Sequence, residues 1–469
     1  MDRRTLLLSV VAIVLSVASG EAASPLFEFV SGPAARNGGR VEIVAIERVI
    51  VDISAIAKNP LSLAIPLLDG TIPRANRMDF ERRSADNITW RGRFDEPNSG
   101  RVTITVRNGV VVGLIQNTGR TYVIEPVIDG GEALKEVNQD LYPECGGAEL
   151  PGETAFHKND FEAEIAGDSG ARIDVMVMYT PEARDAAGGV AAIEATAQAA
   201  VDIANTAFED SDVITRFNLV HAAVASRHDT GDSSADLVWL RTDAGVASLR
   251  NSYGADLVSL LVEDGGGVCG RGYVMRSPGA WFADWAFQVT DRGCAVGNLS
   301  WAHEHGHNMG MEHDPANGTE PASASYPWSF GHFVNGSYRT VMSYSNQCPN
   351  GCTRVPHFSN PSVLHAGAAT GITDQRDNHR TADLTAPIVA NFRTQTCTID
   401  IDYALQNHAI TAVETYEACR TITAGPDVTV TDMGDLTLRA GESIVLGNGF
   451  SVESGGTFAA EVDPVVGAP

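Results

Sequence analysis

Apolar and polar positions alternate along residues 101–106, Arg101-Val102-Thr103-Ile104-Thr105-Val106, the period-two pattern of a strand. Residues 110–116 and 121–127 repeat it, with the turn-forming Asn117-Thr118-Gly119 between them. Residues 24–144 therefore read as a small β-rich block. Residues 145–171 carry Gly146-Gly147, Pro151-Gly152, several acids and Gly167-Asp168-Ser169-Gly170, which is linker composition with little to build a core. A third block, 172–395, opens on a buried strand at 173–179. Thr180 can cap a helix and Pro181 suits its first turn, so the alanine-rich stretch to Phe208 predicts one long helix. Further strands are expected at 217–225, 255–262 and 287–290, with Gly265-Gly266-Gly267 ending the second of these. Asn298 or Ser300 can cap a following helix, and 385–392 has helical character. In residues 396–469, short alternating runs from 427 to 462 are punctuated by glycines about eight residues apart. That spacing suggests stacked short strands, with too few turns for a solenoid by itself, and predicts a small β module.

The chain begins with Asp2-Arg3-Arg4, an apolar run over 6–18, and small residues at Ala18-Ser19-Gly20 and Ala22-Ala23. Residues 1–23 thus have the form of a secretory signal cleaved near Gly20 or Ala23, and the run is short for a bilayer span. Secretion to the periplasm, cell surface or medium is the expected address. No second apolar run is long enough to cross a membrane. The formal net charge of −26 argues against nucleic acid and anionic membranes as partners. Structural Ca2+ is left open, without a clear loop signature. Export makes disulfides plausible among seven cysteines. Local spacing suggests Cys269–Cys294, Cys348–Cys352 and Cys397–Cys419, which leaves Cys145 unpaired.

The chemistry concentrates in His303-Glu304-His305-Gly306-His307-Asn308-Met309-Gly310-Met311-Glu312-His313-Asp314. His303 and His307 are four apart and project from one helix face, so they can share a metal. Glu304 lies one step round, able to reach water beside that metal without ligating it. His313 could not join on a continuing helix, which would carry it ~9 Å along the axis and ~240° round from His307. The chain must therefore break and turn back, and Gly310 permits this because glycine tolerates positive φ at a helix end. His305 fits no ligand spacing. Three neutral imidazoles leave one position of a tetrahedral zinc for water, and Glu304 can act on it as general base.

This pattern resembles the metzincins, zinc proteases with an extended histidine motif and a later Met-turn. Asn308 and Asp314 make it similar to the reprolysin (adamalysin) branch. The resemblance covers roughly half the chain. It implies an α/β (α+β) catalytic domain with a mixed sheet and a zinc helix, preceded by a β-rich prodomain. It implies Zn2+ as cofactor, proteins or peptides as substrates, and Met342 in Thr340-Val341-Met342-Ser343-Tyr344 as the apolar floor beneath the metal. Tyr344 matches a tyrosine that approaches the metal in some metzincin branches, though reprolysins generally do without it; a packed or surface tyrosine is the alternative. Cys145, in Pro143-Glu144-Cys145-Gly146-Gly147, resembles a cysteine switch, in which a propeptide thiol takes the open zinc position and keeps the precursor latent. A free or disulfide-bonded cysteine is its alternative. The functional expectation is a secreted zinc endopeptidase made as a latent precursor. A zinc amidase or esterase on non-peptide substrates keeps the same site, and a non-catalytic adhesin would explain the acidic surface but not Glu304.

Overall fold

The computed structural model describes residues 25–462 except 31–38, 85, 96–99, 129, 151–169, 394–401 and 442. The expected signal segment and Cys397 lie outside the described residues.

The amino-terminal block is a nine-stranded sheet in which each pair is antiparallel. At its centre Arg101–Arg107, Val110–Asn117 and Arg120–Pro126 form a meander. Its turns place Asn108 and Gly109, then Thr118 and Gly119, at positive φ, the tight geometry that suits twisted hairpins. Val102, Ile104 and Val106 pack into this block's own core. The polar residues between them do not face solvent. Thr103 meets Thr206, and Thr105 and Thr89 each donate to Asp202 at 2.6 Å. Both partners lie on the long helix Val190–Glu209, so the strands are covered on both faces.

That helix is not the single element expected over 180–208. Pro181–Ala187 forms a first helix, capped by Thr180. Gly188 and Gly189 then take φ of 100° and 121°, which no α-helix contains, and the helix restarts at Val190. The restarted helix is buried almost throughout, wedged between the amino-terminal strands and the second sheet. Asp202 is fully buried yet satisfied, accepting also from Arg83 at 2.6 Å and Gln198 at 3.2 Å.

The second sheet is mixed and five-stranded. Arg216–Val224, Arg172–Tyr179, Leu257–Val262 and Phe287–Asp291 run parallel, and Gly270–Gly272 pairs antiparallel at the edge. The edge strand has no counterpart in the sequence reading, nor do the helices Ser233–Thr242 and Ala244–Ser252, capped by Asp232 and Asp243. The closing helix is Asn378–Val389 rather than 385–392, with Pro387 inside its last turn. Among the described residues, no helix is long and apolar enough to cross a membrane.

The carboxy-terminal strands build three parallel three-stranded sheets. Successive turns of chain lie 22 residues apart, as in Thr421 beneath Ser443 and Thr429 beneath Ser451. Ile410, Ile422, Val430, Leu436 and Leu438 point into a shared interior. This is a short parallel β-solenoid, which corrects the expectation that the glycine spacing allowed too few turns for one. Three turns suffice to cover the middle turn's inward positions from above and below, while Ile444, Phe450 and Phe458 of the last turn are only partly buried.

Cys269–Cys294 and Cys348–Cys352 are disulfide-bonded. Cys419 is also bonded, while its expected partner Cys397 lies outside the described residues. Cys145 is the free cysteine of the described residues. Alkylation of the denatured, non-reduced, unprocessed protein should accordingly label Cys145 alone. Peptide mapping that finds label on Cys397 or Cys419 would overturn the third pairing.

Candidate metal centre

The histidine helix is Ser300–Asn308. Neither expected residue caps it. Leu299 occupies the N-cap at φ 55°, and Asn298 donates instead to Ser300 Oγ at 3.1 Å. After Asn308 the chain reverses at Gly310, where φ is 87° and an added Cβ would sit 3.0 Å from the Met275 carbonyl. Both observations demand glycine there.

The reversal brings His313 back to the helical pair. His307 Nε2 and His313 Nε2 lie 3.0 Å apart, and His313 Nε2 and His303 Nε2 lie 3.2 Å apart. Nitrogens around a tetrahedral zinc are separated by about 3.3 Å, from bonds of about 2.0–2.1 Å. Each opposite ring nitrogen meets a backbone carbonyl: His303 Nδ1 at 2.8 Å from Val341 O, His307 Nδ1 at 2.8 Å from Met311 O, and His313 Nδ1 at 3.2 Å from Asn317 O. A carbonyl only accepts, so Nδ1 carries the proton and each Nε2 lone pair faces the common centre. Burial lowers the pKa of all three rings, which keeps them neutral, the form a metal requires. The donor set fits zinc.

His305 is buried but elsewhere. Its ring lies 4.3 Å from Trp301 and 5.5 Å from Phe217, and its Nδ1 meets Asn308 Oδ1 at 3.0 Å. Met342 is fully buried directly under the helix: a Cβ on Gly306 would come within 2.5 Å of its sulfur. Gly306 is thus a site residue that the sequence reading passed over, since it lets the methionine approach. Asn308 and Asp314, read earlier only as branch markers, have structural tasks. Asn308 Nδ2 donates to Tyr273 O and Phe287 O, and Asp314 accepts from the Tyr344 amide at 3.1 Å.

Glu304 is fully buried, with Oε1 lacking a hydrogen-bond partner among the described residues. Burial pushes its carboxyl up to about 8. Gly270 clears its space, because a Cβ there would lie 2.7 Å from the glutamate side chain.

Cys145 reaches this centre from the amino-terminal side. Its Sγ is 3.6 Å from Glu304 Oε2 and 3.9 Å from His307 Nε2, and one ligand atom from each of Cys145, His303, His307 and His313 falls within 4.8 Å of the others. Burial, then the Glu304 carboxylate, raise its thiol well above the ordinary value. The segment is no loose linker at this point. Cys269 N donates to Glu144 O, Gly146 N to Gly270 O and Glu149 N to Gly272 O, so 144–149 runs parallel along the edge strand. Tyr344 is packed, its ring 4.3 Å from that of His313 and its hydroxyl donating to Cys145 O at 3.0 Å.

A mixed sheet with a glycine-broken histidine motif over a buried methionine defines a metzincin of the reprolysin type. Residues 169–359 match the reprolysin model of metallo-peptidase family M12, and with the relatives below this makes the chain a zinc metalloendopeptidase. A peptidyl-Asp metalloendopeptidase of Xanthomonas campestris pv. campestris is 29% identical over 419 residues, covering 82% of this chain and 97% of its own. The protein of that name from Stenotrophomonas maltophilia strain R551-3 is 28% identical over 417 residues, covering 81% and 96%. One from Pseudomonas aeruginosa is 34% identical over 247 residues, 47% of this chain and 40% of its own.

Proposed function

We propose that His303, His307 and His313 hold the catalytic zinc and that Glu304 is the general base of a secreted endopeptidase made as a latent precursor. The observation that carries this is the convergence of three Nε2 atoms whose rings are each fixed by a backbone carbonyl. Zinc held there supplies a Lewis acid that polarises the scissile carbonyl and acidifies water. Glu304 takes the proton of the attacking water and later delivers it to the departing amine. Met342 floors the site. Tyr344, whose hydroxyl now donates to Cys145 O, is placed to donate to a substrate carbonyl instead. Residues 24–144 act as the prodomain and 145–171 as the linker to be cut, while Cys145 blocks the centre until then. The catalytic domain spans 172–395, and residues 396–469 serve export, surface retention or substrate contact. Peptidyl-aspartyl bonds, for which the relatives are named, are proposed as substrate here too. The amidase and adhesin readings give way to the family match. Calcium finds no support, since the group of three or more metal-binding side chains among the described residues is the one at these histidines.

Incubating the processed protein with a mixed peptide library, with and without a zinc chelator, tests the activity; chelator-insensitive cleavage, or none, overturns it. The ligand set has its own test. His313→Ala should lower zinc affinity by ~100-fold or more, at least what loss of a supporting partner costs, and His305→Ala should leave zinc content unchanged. Equal zinc in His313→Ala and wild type would refute the assignment.

A further inference from the structure

Glu144 precedes the thiol that faces the histidines, and its carboxylate has a built receptacle. Ser345, three residues past the floor methionine, donates to Glu144 Oε1 from its amide at 2.7 Å and again from its hydroxyl. Arg354 Nη2 lies 3.7 Å from Glu144 Oε2. Arg354 is 2% exposed and Arg339 beside it 1% exposed. Both guanidinium groups donate to Ser343 O, and both Nε atoms lack a partner among the described residues. Glu144 is the one carboxylate of the described residues within ion-pair distance of Arg354, and Arg339 has none. The two arginines hold the Glu144 carboxyl below its usual range against the opposing effect of burial. The carboxylate within ion-pair reach of these buried cations sits on the segment that the proposed maturation removes, while Asp140 and Asp314 act on Arg339 only from longer range, so the pocket is left able to take an anion.

We propose that Ser345, Arg354 and Arg339 form the side-chain pocket that selects an acidic residue beside the scissile bond, and that Glu144 occupies this pocket in the precursor. This rests on the zinc endopeptidase reading above and assigns the residues that set its substrate class. Glu144 sits in this pocket while the Sγ of the next residue, Cys145, lies 3.6 Å from Glu304 Oε2, so a side chain one residue from a group held at Glu304 reaches it. Arg354 suits the task as a buried charge fixed by its bonds to Asn298 O and Ser343 O, and the Ser345 amide and hydroxyl supply the direct donors to the carboxylate. An amide side chain would present hydrogen atoms to these donors and leave the cations unpaired. In the precursor Cys145 faces the metal centre while Glu144 fills the neighbouring pocket, so one dipeptide obstructs both catalysis and recognition.

The test uses the mature enzyme and two matched peptides that differ only in Asp against Asn at one position. Cleavage beside Asp should be favoured by ~10- to 100-fold, the range for a hydrogen bond to a charged partner against a neutral one. Arg354→Gln should erase that preference, and Ser345→Ala should reduce it. Arg354 also bonds Asn298 O, so its loss could unfold the protein. A second measurement avoids the variant. The synthetic peptide Pro-Glu-Cys-Gly-Gly-Ala, spanning 143–148, should inhibit the mature enzyme, and its Glu144→Gln version should inhibit ~10-fold less or worse. Equal inhibition by the two peptides, or an unchanged Asp preference in folded Arg354→Gln, overturns the pocket. Failure to cleave either substrate counts against the endopeptidase reading instead. In that case calorimetric binding of the Asp and Asn peptides to the Glu304→Gln protein still decides the pocket, tighter Asp binding supporting it and equal binding overturning it.

Discussion

Glu304→Gln should retain zinc and lose ~10²–10⁴-fold or more in kcat, the contribution of a positioned general base. Glutamine has the same shape, and the space cleared by Gly270 accepts it. What it lacks is a basic oxygen. The wild-type carboxylate is enclosed, with Oε1 unpartnered by any protein donor among the described residues, so no neighbouring group substitutes for it. Cys145 is the thiol beside it, and that thiol belongs to the segment removed at maturation in the proposed scheme. Steady-state hydrolysis of a fluorogenic peptide, paired with metal analysis, separates lost chemistry from lost metal. Undiminished turnover in the zinc-loaded variant would end the general-base assignment.

Cys145→Ser should convert a silent precursor into one that cleaves itself at least ~10-fold faster, equivalent to ~1.4 kcal/mol of lost blockade. Serine has the same connectivity and is slightly smaller, so it fits, but a neutral hydroxyl is a far poorer zinc ligand than a thiolate. The rest of the segment keeps its place: the backbone pairs to Cys269 and Gly270, the Tyr344 hydroxyl and the Ser345 contacts are all independent of sulfur. The substitution therefore isolates the thiol from the steric cover. A mercurial reagent on wild-type precursor should act in the same direction. If the serine precursor matures at the wild-type rate and stays equally inert, cover by residues 24–144 keeps it latent, and Cys145 has no regulatory part.

The histidine centre was legible because its determinants are local. Helical spacing joins His303 to His307, and the glycine tolerance of one position returns His313 within a few residues. Met342 needed the family resemblance, since nothing in its own neighbourhood distinguishes it from core. Gly306 was invisible because its reason is a contact with a sulfur 36 positions later, here 2.5 Å from a Cβ it does not have. The proposed arginine pocket was hidden for the same cause: Glu144 is remote in sequence from Arg339 and Arg354, and only the fold assembles them. Local structure was misread where two signals competed. Gly188-Gly189 sits inside an alanine-rich run whose helical propensity argues for continuity, but two positive φ angles prevailed. The helices Ser233–Thr242 and Ala244–Ser252 bury few large apolar side chains, Leu237, Leu240 and Val246, so they show a faint stripe. Aspartate caps mark their starts and could have been noticed. In the solenoid, strands of three to six residues are too short for periodicity to accumulate.

The 22-residue turn of that solenoid makes length a counted quantity. Its interior tolerates insertion or loss only in whole turns, because a fractional change would rotate Val430, Leu438 and their neighbours from inside to outside. Duplicating one complete turn would raise the stack by about 4.8 Å, the spacing between paired strands. Such growth needs no new contact elsewhere in the chain. The length of this module is thus set in steps of one strand thickness, while the buried histidines and everything that holds them stay as they are.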